Sequence, residues 1–82
     1  LCLWHYTTRL MAREHTNSQK RFGKRLRSHR VRRGLSVVEA AYKADLHGDS
    51  WYKYERGERW PSIPALQRIA TAVEIRPADL LD

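Results

Sequence analysis

The sequence predicts an all-α fold of five helices, and three observations predict it. Residues that can share a buried helical face recur at intervals of three and four: Phe22, Leu26 and His29, then Trp51 and Tyr54, then Leu66, Ile69, Ala70 and Val73. Helix punctuation stands between these runs, with Gly34 and Gly57 placed to end helices and Ser36, Ser62 and Pro77 placed to start them. Two of the helices are separated only by the tight joint Ala44-Asp45-Leu46.

The first helix is expected over about 18–33, stopped by Gly34. His29 on its buried face is expected to be half-buried and hydrogen-bonded. Ser36 and Glu39 have the spacing of a capping box, in which each side chain satisfies a backbone N–H of the other, so the second helix is expected over 37–44. Its residues Ala40, Ala41 and Ala44 offer a smooth face that lets a neighbour come close. The third helix is expected over about 47–56, with Trp51 and Tyr54 turned inward and Gly48, Asp49, Tyr52 and Lys53 turned outward. Ser62 caps the fourth helix, where Pro64 falls in the first turn and needs no hydrogen-bond partner for a missing N–H. A short fifth helix from Pro77 is expected to close the core with Leu80 and Leu81.

Residues 1–17 share no periodicity with the remainder and are expected to be a tail, with 18–82 as the one folded domain. Met11-Ala12-Arg13 looks like an ordinary translation start, so residues 1–10 read as upstream or non-native sequence. Two functional readings of the tail compete with disorder: an arm tracking a polyanion through Arg9 and Arg13, or a self-pairing strand over 1–6. Trp4 and Tyr6 would be association liabilities if exposed.

At 82 residues a single core is marginal by burial alone, which leaves room for a homodimer or a regulatory protein partner. One cysteine, Cys2, permits no internal disulfide, and the four histidines lack metal-ligand spacing. No metal or cofactor is expected. No apolar run is long enough to span a bilayer, and residues 1–6 do not make a signal peptide, so no membrane association and a cytoplasmic location are expected. An enzyme is not expected either, because Ser36, His47 and Asp49 are accounted for as cap, helix start and surface.

The net charge is +7, and residues 20–33 read KRFGKRLRSHRVRR, eight Lys or Arg with no acidic residue. A solvated helix face would explain such a run in a charge-balanced chain. Here the single sign favours an anionic partner such as a phosphate backbone over a membrane surface, which a thin apolar stripe anchors poorly.

Several fragments in fixed order carry a resemblance: Phe22-Gly23-Lys24-Arg25-Leu26-Arg27, Arg30, Gly34-Leu35-Ser36, Ala41, Ala44, Leu46, Glu55-Arg56-Gly57, Arg59, Pro61-Ser62, Leu66, Ile69-Ala70 and Pro77-Ala78-Asp79-Leu80-Leu81. No one of them is specific, but their spacing together resembles the lambda-repressor/Cro-type, or XRE-like, helix-turn-helix family. The resemblance implies a lambda-repressor-like DNA-binding domain whose third helix enters the major groove. Carried over by position, Gly48, Asp49, Ser50, Tyr52 and Lys53 would face base edges. Arg25, Arg27, Arg30, Lys43, Arg56 and Arg59 would contact phosphate, with Arg30 also a structural partner of Glu55.

Two departures from the family pattern bear on base reading, and a third on packing. Val37 stands where glutamine often meets phosphate, and Gly48 and Asp49 offer few ways to read a base unless Asp49 accepts from a cytosine amino group. Lys53 is then the leading base reader. Ala40 and Trp51 replace a leucine and a smaller aliphatic residue, and the indole is expected to fill the volume that Ala40 gives up. The implied function is a sequence-specific double-stranded DNA-binding transcription regulator, a repressor that occupies an operator. The reading from another class is an antitoxin-like or adaptor module that uses the same fold to bind a protein, favoured by Gly48 and Asp49 on the third helix and by Val37, Val38, Trp4 and Trp60 where these are exposed.

Overall fold

The computed structural model describes the backbone of residues 2–81 and the side chains of residues 17–81. Among the described residues the chain forms five helices and no strand: α1 (Cys2–Arg32), α2 (Val37–Lys43), α3 (Gly48–Glu55), α4 (Ile63–Ala72) and α5 (Pro77–Leu81). Helix α1 begins well ahead of the expected start, since nothing before Gly23 is a glycine or proline that would interrupt it. Its backbone over residues 2–6 is helical rather than strand-like. The readings placed on Trp4, Tyr6, Arg9 and Arg13 concern side chains outside the described residues.

The core gathers Phe22 and Leu26 from α1, Ala40 and Ala41 from α2, Trp51 and Tyr54 from α3, Ile69, Ala70 and Val73 from α4 and its end, and Leu80 from α5. Trp51 and Ala40 are both completely buried in this one cluster. Helices α1 and α3 cross at Gly23: a Cβ there would lie 2.2 Å from the Glu55 carbonyl oxygen. Only a bare backbone allows that approach. Trp60, counted among the exposed residues that would favour a protein partner, instead packs on Phe22 with ring centroids 5.4 Å apart, and Val37, counted with it, is half-buried against the core. Leu81 departs from expectation in the other direction. It is 51% exposed, because neighbouring residues on so short a helix point about 100° apart and only Leu80 can face inward.

The helix starts follow the sequence closely. The Glu39 N–H donates to Ser36 Oγ and the Ser36 N–H donates to Glu39 Oε1, each at 3.1 Å. Those two Ser36 groups, the backbone N–H foremost, hold the Glu39 carboxyl below its ordinary value, with Lys43 adding to the effect. The box therefore supports folding above the usual carboxylate range and weakens as pH falls through the lowered value. At α4 the Ala65 N–H donates to Ser62 Oγ at 3.2 Å.

The first four helices share one ending. In each, the N–H two residues past the cap reaches back to a carbonyl five positions earlier: Leu35 to Arg30, Leu46 to Ala41, Glu58 to Lys53 and Ile75 to Ala70. Each ending needs one left-handed residue, and these are Gly34, Asp45, Gly57 and Glu74, with φ of 70°, 56°, 74° and 59°. The joint between α2 and α3 is residues 44–47, with His47 as the N-cap of α3.

Candidate nucleic-acid interface

Helix α3 has two faces of different chemistry. Trp51 and Tyr54 point into the core, while Asp49, Tyr52, Lys53 and Arg56 fall at i, i+3, i+4 and i+7 and form one exposed stripe. Gly48 and Ser50 are half-buried beside it.

The inner face is held by a polar node centred on Glu55. Arg30 Nε donates to Glu55 Oε2 at 2.6 Å, Arg30 Nη2 donates to Glu55 Oε1 at 3.2 Å, and Trp51 Nε1 donates to Oε2 at 2.5 Å. Arg30 Nη1 also donates to the Leu35 carbonyl at 2.8 Å. Two side chains that are 13% and 9% exposed thus pair in the forked geometry that suits a guanidinium and a carboxylate. The node fixes the angle of α3 on α1. It also engages most of the Arg30 guanidinium inside the protein, leaving little of it for phosphate.

Three shallow concavities surround the stripe. One of about 540 Å³ is lined by Val37, Val38, His47, Gly48, Asp49 and Tyr52. A second of about 260 Å³ is lined by Asp49, Tyr52, Lys53, Arg56 and Glu58. The third, of about 240 Å³, lies between α1 and α3, lined by Arg27, Arg30, Val37, Tyr52, Glu55 and Arg56. Tyr52 borders all three and is the hub of the surface. The Arg56 guanidinium lies 5.4 Å from its ring centroid and its Nε lies 3.0 Å from Glu58 Oε2, so two weak, exposed contacts orient Arg56.

The structure therefore brings Arg27, Arg30 and Arg56 together with Gly48, Asp49, Tyr52 and Lys53. Arg25, Lys43 and Arg59 are not among the residues around these concavities; Lys43 and Arg59 are exposed and Arg25 is half-buried. The basic run of α1 is also less one-sided in space than in sequence. Arg30 is offset by Glu55, and Arg33 lies 3.4 Å from Glu74 while donating to the carbonyls of Val73 and Glu74 at the end of α4. His29 is half-buried as expected, but its ring has no hydrogen-bond partner among the described residues.

Val38 and Tyr42 were not singled out as reading residues. They stand one turn apart on the outer face of α2, 75% and 85% exposed. Their spacing opposite the buried Ala40, Ala41 and Ala44 was the available signal.

Residues 21–82 match the helix-turn-helix domain family. The chain belongs to this family. It is similar to the control protein C.BamHI of Bacillus amyloliquefaciens, 34% identical over 62 residues that make up 74% of this chain and 76% of that protein. Among solved structures it is similar to the restriction-modification controller protein C.AhdI of Aeromonas hydrophila, with TM-score 0.74 and 35% identity over 76% of this chain and 94% of that one. The clp gene regulator ClgR of Corynebacterium glutamicum has the same TM-score of 0.74 at 26% identity, over 78% of this chain and 68% of that chain. Helices α2 and α3, joined by residues 44–47, lie within the matched span.

Among the described residues no group of three or more His, Cys, Asp or Glu is placed to hold a metal ion. No helix among them is long and apolar enough to cross a membrane.

Proposed function

We propose that the protein is a sequence-specific double-stranded DNA-binding transcription regulator, a repressor in the cytoplasm, whose residues 18–82 place α3 in the major groove of an operator. One observation carries this reading: the Asp49, Tyr52, Lys53 and Arg56 stripe is exposed on a helix whose opposite face is locked to α1 through Glu55. A helix held on one side with an exposed polar face on the other is what reading base edges requires. The likeness to proteins described as a control protein, a controller protein and a gene regulator supports the regulatory part of the proposal.

In this reading Lys53 donates to guanine O6 or N7, Asp49 accepts from an exocyclic amino group, and Gly48, Ser50 and Tyr52 border the contacted bases. Arg25, Arg27, Lys43, Arg56 and Arg59 supply phosphate contacts, with Arg30 chiefly structural. About five neutralised phosphates give a slope of log K against log salt of roughly −4 to −5. Selection of bound duplexes from a random pool, followed by mobility shifts at two salt concentrations, tests the proposal. A slope near zero overturns it. A homodimer would show as inverted half-sites about one helical turn, roughly 34 Å, apart in the selected duplexes.

The exposed Val38 and Tyr42 favour a second reading, the antitoxin-like or adaptor module, because paired apolar side chains on a surface suit a protein partner. Co-purification of a partner by a protein that binds no duplex would select it.

A further inference from the structure

The concavity beside the start of α3 joins three features on one rim. Val38 is 75% exposed, so it has no packing duty that explains an aliphatic side chain at this point. Gly48 has nothing within 4 Å of where a Cβ would stand, which leaves the backbone open to close approach. Asp49 is exposed and makes no ion pair among the described residues, although the chain carries a net charge of +7. An acceptor-only side chain is thus set beside an apolar wall made by Val37, Val38 and the ring of Tyr52, with the exposed His47 completing the lining.

The major-groove edge of a base pair presents few groups that match this pairing. A carboxylate accepts from the amino group of cytosine or adenine and is repelled by the carbonyl oxygens of guanine and thymine. An apolar wall gains only from the 5-methyl group of a pyrimidine, the one hydrocarbon on that edge. We propose that this concavity recognises a pyrimidine 5-methyl group lying next to an exocyclic amino donor, with Val38 against the methyl and Asp49 on the amino group. The proposal rests on α3 entering the major groove. Two sources supply the chemistry: a thymine beside cytosine or adenine, or a 5-methylcytosine, which carries both groups on one base.

The test uses a duplex selected from a random pool, with each thymine replaced in turn by uracil and each cytosine by 5-methylcytosine. With the unaltered protein, loss of the critical methyl should weaken binding about fourfold if thymine is the source, and its addition should tighten binding about fourfold if 5-methylcytosine is. Val38→Ser, at an exposed position that leaves the core untouched, should bring the methyl-to-bare ratio to about one. Asp49→Ala should erase the preference at the neighbouring amino position. Salt-dependent binding that ignores every methyl substitution, or a Val38→Ser protein that keeps the discrimination, overturns this inference alone. Failure to bind any duplex overturns it together with the proposed function.

Discussion

Along α3, Trp51 and Tyr54 are buried while Tyr52 and Lys53, each one position away, stand in solvent. The buried pair answers to many demands at once. Trp51 fills core volume and donates to Glu55, Glu55 holds Arg30, and the α3 backbone presses on Gly23 of α1. The exposed residues answer to almost none, since Lys53 and Asp49 have no ion pair among the described residues. The difference teaches that the fold draws on one side of this eight-residue helix while the proposed recognition draws on the other, so substitutions on the two sides should produce separable defects.

The largest effect should come from Trp51→Ala, which removes a fully buried indole and leaves Glu55 short of one donor. A loss of about 3 to 5 kcal/mol is expected, read from the urea midpoint. An unchanged midpoint would break the contrast at its stronger end. Next, Glu55→Ala should cost about 3 kcal/mol, since it strands the mostly buried Arg30 guanidinium without its counter-charge. DNA binding should fall with it, because α3 loses the tie that fixes its angle. Retained stability together with retained binding would show that the node is dispensable.

Lys53→Ala sharpens the comparison from the other side. It should weaken binding to a preferred duplex by about 1 to 3 kcal/mol while shifting folding stability by less than about 0.5 kcal/mol. Equal losses on preferred and random duplexes would mean that Lys53 serves phosphate rather than a base.

How far the sequence reveals this arrangement differs between the two faces. The inner face was legible because burial imposes periodicity: Phe22, Leu26, Trp51, Tyr54, Ile69 and Val73 all lie in the core that their spacing predicts. Capping was legible for a similar reason, since Ser36 with Glu39, and Ser62, act within one turn of chain. The spatial arrangement of the cations was less so. Arg33 sits in a run that reads as phosphate-seeking, yet its guanidinium closes the end of α4, a contact across 41 positions that no local pattern encodes. The outer surface imposes no periodicity of its own. Val38 reads as an exposed residue in the sequence, whereas Tyr42 carries no mark of its own until α2 buries its alanines on the opposite face.

Helix endings show the same limit on a smaller scale and give the smallest expected effect. Gly34 and Gly57 announce their left-handed turns, whereas Asp45 and Glu74 adopt the same backbone without any glycine to mark it. Hydrogen bonds from Leu46 to Ala41 and from Ile75 to Ala70 hold those two residues in a region that L side chains enter at a cost. Asp45→Gly removes the steric part of that cost, partly offset by a more flexible unfolded chain. A gain of about 0.5 to 1 kcal/mol is expected, read as a rise in the thermal midpoint. Asp45 lies in the joint that sets α3 against α2, so DNA affinity provides a second readout. A midpoint that rises while affinity holds would show that the joint needs only the left-handed turn. A midpoint that falls would show that the Asp45 side chain itself stabilises the turn, and the strain argument would then be wrong for this ending.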